Sequence, residues 1–331
     1  MRRLPRWLAA LTLATTLSGC LVEVPPPEET AAPSPTYEVR PAVRLVGRAR
    51  FTLSVHPAEA RETDIGVTDA LTGEALGAFT VPDVYVPHYH PVELHNGNLY
   101  VIQRLGDTAS PNANWSDELW RYRPDGSGER LYAAQGIDFR ASPGEELIAI
   151  RYGEQALVVI DGQGRTEATL DTAVLGQGIL PAAEEGWRAN PVGWSADGRT
   201  LWLTATWGPR LEGVLCVAAE DWAVTGYDLS DLPAHFEHDL NPATGRLAYS
   251  DAPALFDADA AEAFQRSGQT VTLTVRDLAT GQSDVVATAA GQGFRPRWVD
   301  DVTLEYDDPA ANPDLGQRIT SIVPLGAGAS H

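Results

Sequence analysis

An all-β fold, a β-propeller of six four-stranded blades, is predicted by three observations. Short alternating apolar runs punctuated by Gly, Asp, Asn and Pro fill the chain from about Val43 onward, with little helical periodicity. A strand-turn-strand pattern recurs five times along these residues. Most copies are followed by a second hairpin, so that each unit holds four short antiparallel strands.

The sharpest copy is PVGWSADGRTLW, residues 191–202, in which an apolar residue, a Ser-x-Asp-Gly turn and a returning strand follow one another. LNPATGRLAY from Leu240 repeats it, with the same seven-residue step from Trp194 to Leu201 and from Leu240 to Leu247. Looser copies occupy residues 91–102, 139–150 and 296–306. The second hairpins begin at Leu119, Leu157, Leu215 and Val271, and an earlier unit joins the strand Arg50 to Val55 to IGVTDALTGEALGAF from Ile65, which makes six. Val43 to Pro324 then supplies ~47 residues per unit, within the usual blade length of about 40 to 50. The last unit shows three clear strands, and residues 43–46 are expected to add its fourth, closing the ring and removing exposed sheet edges. Seven blades or a two-sheet sandwich are the alternatives. The alanine-rich stretch 257–265 predicts a short exposed helix inserted in the fifth unit, and residues 106–117 and 175–190 read as long loops.

Ahead of the repeats, Arg2, Arg3 and Arg6 precede an apolar run, Trp7 to Leu17, that is too short to cross a bilayer as a helix. Leu17-Ser18-Gly19-Cys20 follows directly. This arrangement is a bacterial export signal and resembles the lipobox of lipoproteins. The resemblance implies that residues 1–19 are removed and that Cys20 carries diacylglycerol and an amide-linked acyl chain (palmitate or similar), enough to anchor a protein stably. Residues 20–42, rich in Pro and Glu, read as a tether, residues 43–325 as the propeller and residues 326–331 as a disordered tail. The expected location is the cell envelope, with the propeller in the periplasm or at the cell surface. Leu21 is not the aspartate that marks inner-membrane retention in many lipoproteins, so the outer membrane is favoured in a host with two membranes.

The chain is strongly acidic, with a formal charge of -21, and contains no lysine. Nucleic acid and bare anionic lipid are therefore excluded as partners, and the membrane is reached through the lipid alone. Cys216 has no partner once Cys20 is acylated, so it reads as a small core residue.

Residues 191–198 resemble the repeats of TolB-like propellers, whose blades carry a Pro-x-Trp-Ser-Pro-Asp-Gly turn, here with Ala196 in place of the second proline and one extra residue before Trp194. The resemblance implies a non-catalytic module that binds an envelope protein or a peptide, and it brings no catalytic residues. Gly193 to Asp197 lacks the last glycine of a nucleophile elbow. Two candidate constellations stand beside this. His88 and His90 share one face of an extended segment before the second blade, and His235 and His238 occupy the matching place in the fifth, facing it across a six-blade ring. Such a His-lined channel predicts, as the alternative function, a divalent metal site serving a hydrolase, lyase or binder of acidic glycans. Arg140, Arg188, Arg295 and Arg297 lie near the starts of inner strands, where guanidinium forks would receive a carboxylate.

Overall fold

The computed structural model describes residues 36–38, 49–55, 62–82, 92–106, 115–153, 156–176, 187–207, 210–229, 232, 237–252, 258–291, 293–307 and 320–324. The chain divides into Met1–Pro33 and Ser34–His331, and every described residue belongs to the second unit.

Six antiparallel sheets follow one another along the chain, each a simple meander. The first holds β1 (Thr36–Glu38), β2 (Ala49–Val55), β3 (Glu62–Asp69) and β4 (Ala75–Pro82). The second holds β5 (Glu93–His95), β6 (Asn98–Leu105), β7 (Ser116–Tyr122) and β8 (Gly128–Ala134). The third holds β9 (Asp138–Ala141), β10 (Leu147–Tyr152), β11 (Ala156–Asp161) and β12 (Thr166–Asp171), followed by the short helix α1 (Thr172–Gly176). The fourth is β13 (Trp187–Trp194), β14 (Thr200–Trp207), β15 (Arg210–Ala218) and β16 (Val224–Asp228). The fifth is β17 (His238–Asn241), β18 (Arg246–Ser250), β19 (Thr270–Asp277) and β20 (Ser283–Ala290), with α2 (Ala258–Ser267) inserted between its second and third strands as the sequence predicts. The sixth has three strands among the described residues: β21 (Arg297–Trp298), β22 (Thr303–Asp307) and β23 (Thr320–Pro324).

Period-two alternation is the reason these sheets stack in series. Leu99 and Val101 of β6 pack with Phe51, Leu53 and Ile65 of the first sheet, whereas Tyr100 and Ile102 of the same strand pack with Phe139 and Ile148 of the third. In β11, Val158 and Ile160 face the second sheet while Leu157 and Val159 face the fourth. Trp202 of β14 turns to the fifth sheet, and its neighbours Leu201 and Leu203 turn to the third. Leu247 of β18 meets the fourth sheet and Ala248 meets the sixth. Both faces of a strand are therefore apolar, because both are covered. The described core is five apolar layers, one between each pair of consecutive sheets. First strands also touch across sheets, β5 with β9, β9 with β13 and β17 with β21. Sheets stacked in this order around their first strands make a β-propeller, and the sandwich alternative is set aside, since two sheets would share one core.

The turns follow local chemistry. Asn96 and Gly97 both have positive φ, 44° and 80°, which is the backbone of the two-residue hairpin joining β5 to β6. In the fourth sheet, Ser195 Oγ donates to Asp197 Oδ1 at 2.6 Å and accepts from Thr200 N at 2.9 Å, so this serine is committed to its turn.

One strand differs from the expected pattern. β1 lies inside residues 20–42, read above as tether, and pairs with β2 through Thr36 and Ser54, Tyr37 and Leu53, and Glu38 and Thr52. Residues 43–46, expected to complete the last blade, lie outside the described residues.

Candidate functional site

The first strands and the hairpins that follow them carry one register position from sheet to sheet. The residue just before the Trp194 position is Glu93 in the second sheet, Arg140 in the third, Gly193 in the fourth, Asp239 in the fifth and Arg297 in the sixth. These five residues share one register position, termed the belt, and Glu93, Arg140 and Asp239 each bond to the next sheet. Glu93 Oε2 accepts from Ala141 N at 3.0 Å, and Asp239 Oδ2 accepts from Trp298 N at 2.7 Å, the same link made twice at equivalent positions. Arg140 Nε donates to Val192 O at 2.9 Å. Gly193 has no side chain, and a Cβ there would lie 2.8 Å from Pro242 Cγ, so glycine lets the fifth sheet approach. The tryptophans of the repeat work the same seam: Trp194 Nε1 donates to Arg140 O at 2.9 Å and Trp298 Nε1 to Asp239 O at 3.1 Å. Their indoles fill the layer between sheets and tie it by a hydrogen bond.

Burial sets the electrostatics of the belt. Asp239 is pushed up to about 6, first by desolvation, against the pull of the Trp298 and Leu240 N–H groups and the Arg297 guanidinium. Glu93 is 6% exposed and also meets His95 Nε2 at 2.8 Å. His95 is 3% exposed, and its Nδ1 has no hydrogen-bond partner.

Past this belt, at the ends of the first strands, an open cleft of about 1060 Å³ is lined by five consecutive sheets. Glu93 and His95 come from the second sheet, Arg140 and Pro143 from the third, Val192 and Trp194 from the fourth. Asn241 and Pro242 come from the fifth, and the sixth adds the run Trp298 to Val302. Val299 and Val302 are each 50% exposed, so apolar surface stands open at the rim.

The arginines singled out from the sequence are not gathered at one place. Arg140 alone of the four lines the cleft, and its Nη1 donates to Asp138 Oδ1 at 3.0 Å and to Phe139 O at 2.6 Å, with Glu93 Oε1 at 3.7 Å from its Nε. Arg295 is exposed, with φ 42°, and its Nε lies 3.2 Å from Glu237 Oε1 while its N–H donates to Glu237 Oε2 at 2.7 Å. Arg297 is exposed beside Asp239. Arg188 is exposed near the start of β13, four residues before Val192 at the cleft and so about 13 Å from it along an extended strand. Of the histidines, His238 is half-buried on β17 and has an interaction partner. His88, His90 and His235 lie outside the described residues. Among the described residues no group of three or more His, Cys, Asp and Glu is placed to hold a metal ion. Cys216 is a half-buried residue of β15, packed in the layer between the fourth and fifth sheets.

The sequence marks Glu93, with Glu237 and Asp239, as a carboxylate beside a histidine-lined channel, and it missed His95 and the Asp300-Asp301 turn as parts of the site. The signal for Glu93 was the register of the repeat, which places it opposite Asp239 of the fifth unit.

No protein-family model matches this chain, and no curated protein matches it. Solved structures do. A prolyl endopeptidase is 14% identical with a TM-score of 0.51 over 87% of this chain, which spans 39% of that protein's length. An oligogalacturonate lyase from Vibrio parahaemolyticus is 12% identical with a TM-score of 0.50, covering 83% of this chain and 73% of that one. TolB from Acinetobacter baumannii is 11% identical with a TM-score of 0.38, covering 74% of this chain and 57% of that one. At these identities the likeness to the first two is one of fold, and the class the stacked sheets define is the β-propeller. Among the described residues no helix is long and apolar enough to cross a membrane.

Proposed function

We infer that this chain is a lipid-anchored, envelope-facing propeller that binds an envelope protein or a peptide at one end of its channel without chemistry of its own. The observation that carries the reading is the cleft of about 1060 Å³ built jointly by the first-strand ends of five sheets, with exposed valines and two tryptophans in its wall. A concave, mostly apolar site with a few placed polar groups is what a propeller offers a ligand. Cys20 supplies the membrane attachment in this reading.

Crosslinking in the native envelope, capture on a tag after Ser330 and mass spectrometry test the binding function. One dominant envelope protein supports it, and recovery of the tagged chain alone overturns it. Cys20→Ser is expected to move the protein from the membrane to the soluble fraction and to abolish labelling with a fatty-acid analogue. The acidic-glycan reading based on His88, His90, His235 and His238 predicts stoichiometric metal in protein purified without chelator and a melting temperature that rises with zinc or manganese.

A further inference from the structure

Most side-chain donors lining the cleft are spent inside the protein, whereas acceptors remain at its rim. Both indole N–H groups bond to carbonyls of the preceding sheet. Arg140 Nε and Nη1 are held by Val192 O, Phe139 O and Asp138. Asn241 Nδ2 donates to Asp300 O at 3.0 Å, and the N–H groups of Val302 and Thr303 donate to Asp300 Oδ1 at 2.9 and 2.7 Å. On the acceptor side, the Asp301 carboxylate is exposed at the rim, and Asp300 keeps its second oxygen. Deeper in the lining, His95 Nε2 lies 2.8 Å from Glu93 Oε2, and His95 Nδ1 has no hydrogen-bond partner. The charge balance agrees. Three carboxylates line the cleft, Glu93, Asp300 and Asp301, against one guanidinium that Asp138 and Glu93 already flank.

Resting on the binding function inferred above, we propose that the occupant of this cleft is a cationic peptide segment, an Arg or Lys side chain or an N-terminal amine flanked by apolar residues. Its N–H groups meet Asp300 and Asp301, and its apolar flank covers Val299, Val302 and the open part of Trp298. A half-exposed indole beside carboxylates also favours a cation through its ring face. The complementarity extends beyond the cleft, because a chain of formal charge -21 without a single lysine draws a cationic segment toward it and repels an acidic one.

The test is a peptide array of fixed length and matched apolar content, with net charge running from acidic to basic, probed with the full chain in detergent. The tightest peptides are then followed by fluorescence anisotropy. Cationic peptides with an apolar neighbour are expected to bind, and Asp300→Asn with Asp301→Asn to weaken them about tenfold, the sum of two exposed ion pairs. Asparagine keeps the oxygen that caps the Val302 turn, so folding is preserved. Val299→Ser, at an exposed position, is expected to cost about threefold through lost apolar contact. The charge-matched control Asp284→Asn with Glu220→Gln, both exposed and away from the cleft, is expected to change affinity less than twofold. Equal losses in control and rim variants, or a preference for acidic peptides, overturn the proposal. Absence of peptide binding while envelope capture succeeds overturns the proposal and leaves the binding function standing. Failure of both experiments removes both.

Discussion

Replacing Asp239 by Asn isolates the cost of holding a charge in the belt. Asp239 sits between the fifth and sixth sheets with its carboxyl raised from 3.8 to about 6 by burial. Because the folded state binds the proton more tightly than the unfolded chain, this group's contribution to stability falls as pH rises from about 4 to 6, and above 6 the full cost is present. A difference of about two pKa units corresponds to about 3 kcal/mol at neutral pH. Asparagine presents the same Oδ acceptor to Trp298 N, which lies 2.7 Å from the carboxylate, but carries no charge to desolvate. The variant is therefore expected to be more stable than the native chain by up to about 3 kcal/mol at pH 7.5, with the gain shrinking below about 1 kcal/mol by pH 4. Urea unfolding followed by tryptophan fluorescence at the two pH values measures it. A variant less stable than the native chain at pH 7.5, or a gain of equal size at both, would refute the argument from desolvation.

Gly193→Ala places a Cβ 2.8 Å from the ring of Pro242, and chemical denaturation is expected to show a loss of about 1–3 kcal/mol; a change under about 0.5 kcal/mol would mean that the fifth sheet yields freely. Asp117, fully buried, holds Arg104 through bonds of 2.7 and 3.0 Å and accepts from Ile137 N at 3.1 Å. Asp117→Asn breaks the ion pair, with an expected loss of about 3 kcal/mol measured in the same way. Trp194→Phe keeps most of the ring but strands the Arg140 carbonyl, and about 1–2 kcal/mol is expected to go with that bond, without loss of fold by circular dichroism.

The repeat unit was legible in the sequence because a strand covered on both faces needs apolar residues at nearly every position, and the turn between strands needs Gly, Asp or Asn. LWLTATW and LIAIRY show the first demand, and SADG and NG the second. The short strand Thr36–Glu38 was not legible, since three residues carry no periodicity and its place is fixed by pairing with β2. The candidate site was harder still. Arg140 and Arg295 drew notice as cations, yet whether a guanidinium is open to a ligand depends on acids such as Asp138, two residues away, and Glu237, fifty-eight residues away. Sequence shows the residue type, and only the fold shows how its hydrogen bonds are distributed. His95, and the seam role of Glu93, were hidden for the same reason: their importance lies in being buried between sheets, which a single Glu or His does not announce.

The serial arrangement of the five apolar layers bears on how the chain gains its structure. Each sheet is completed by residues adjacent in sequence, and each new layer needs only the sheet before it. A polypeptide delivered from its N-terminus can thus consolidate as it arrives, one meander at a time, with short loop closures and little apolar surface waiting for a distant partner. The vulnerable moment comes before each next sheet is in place, when the outward face of the last one, such as Tyr100 and Ile102 before Phe139 and Ile148 cover them, is open to water and to other chains.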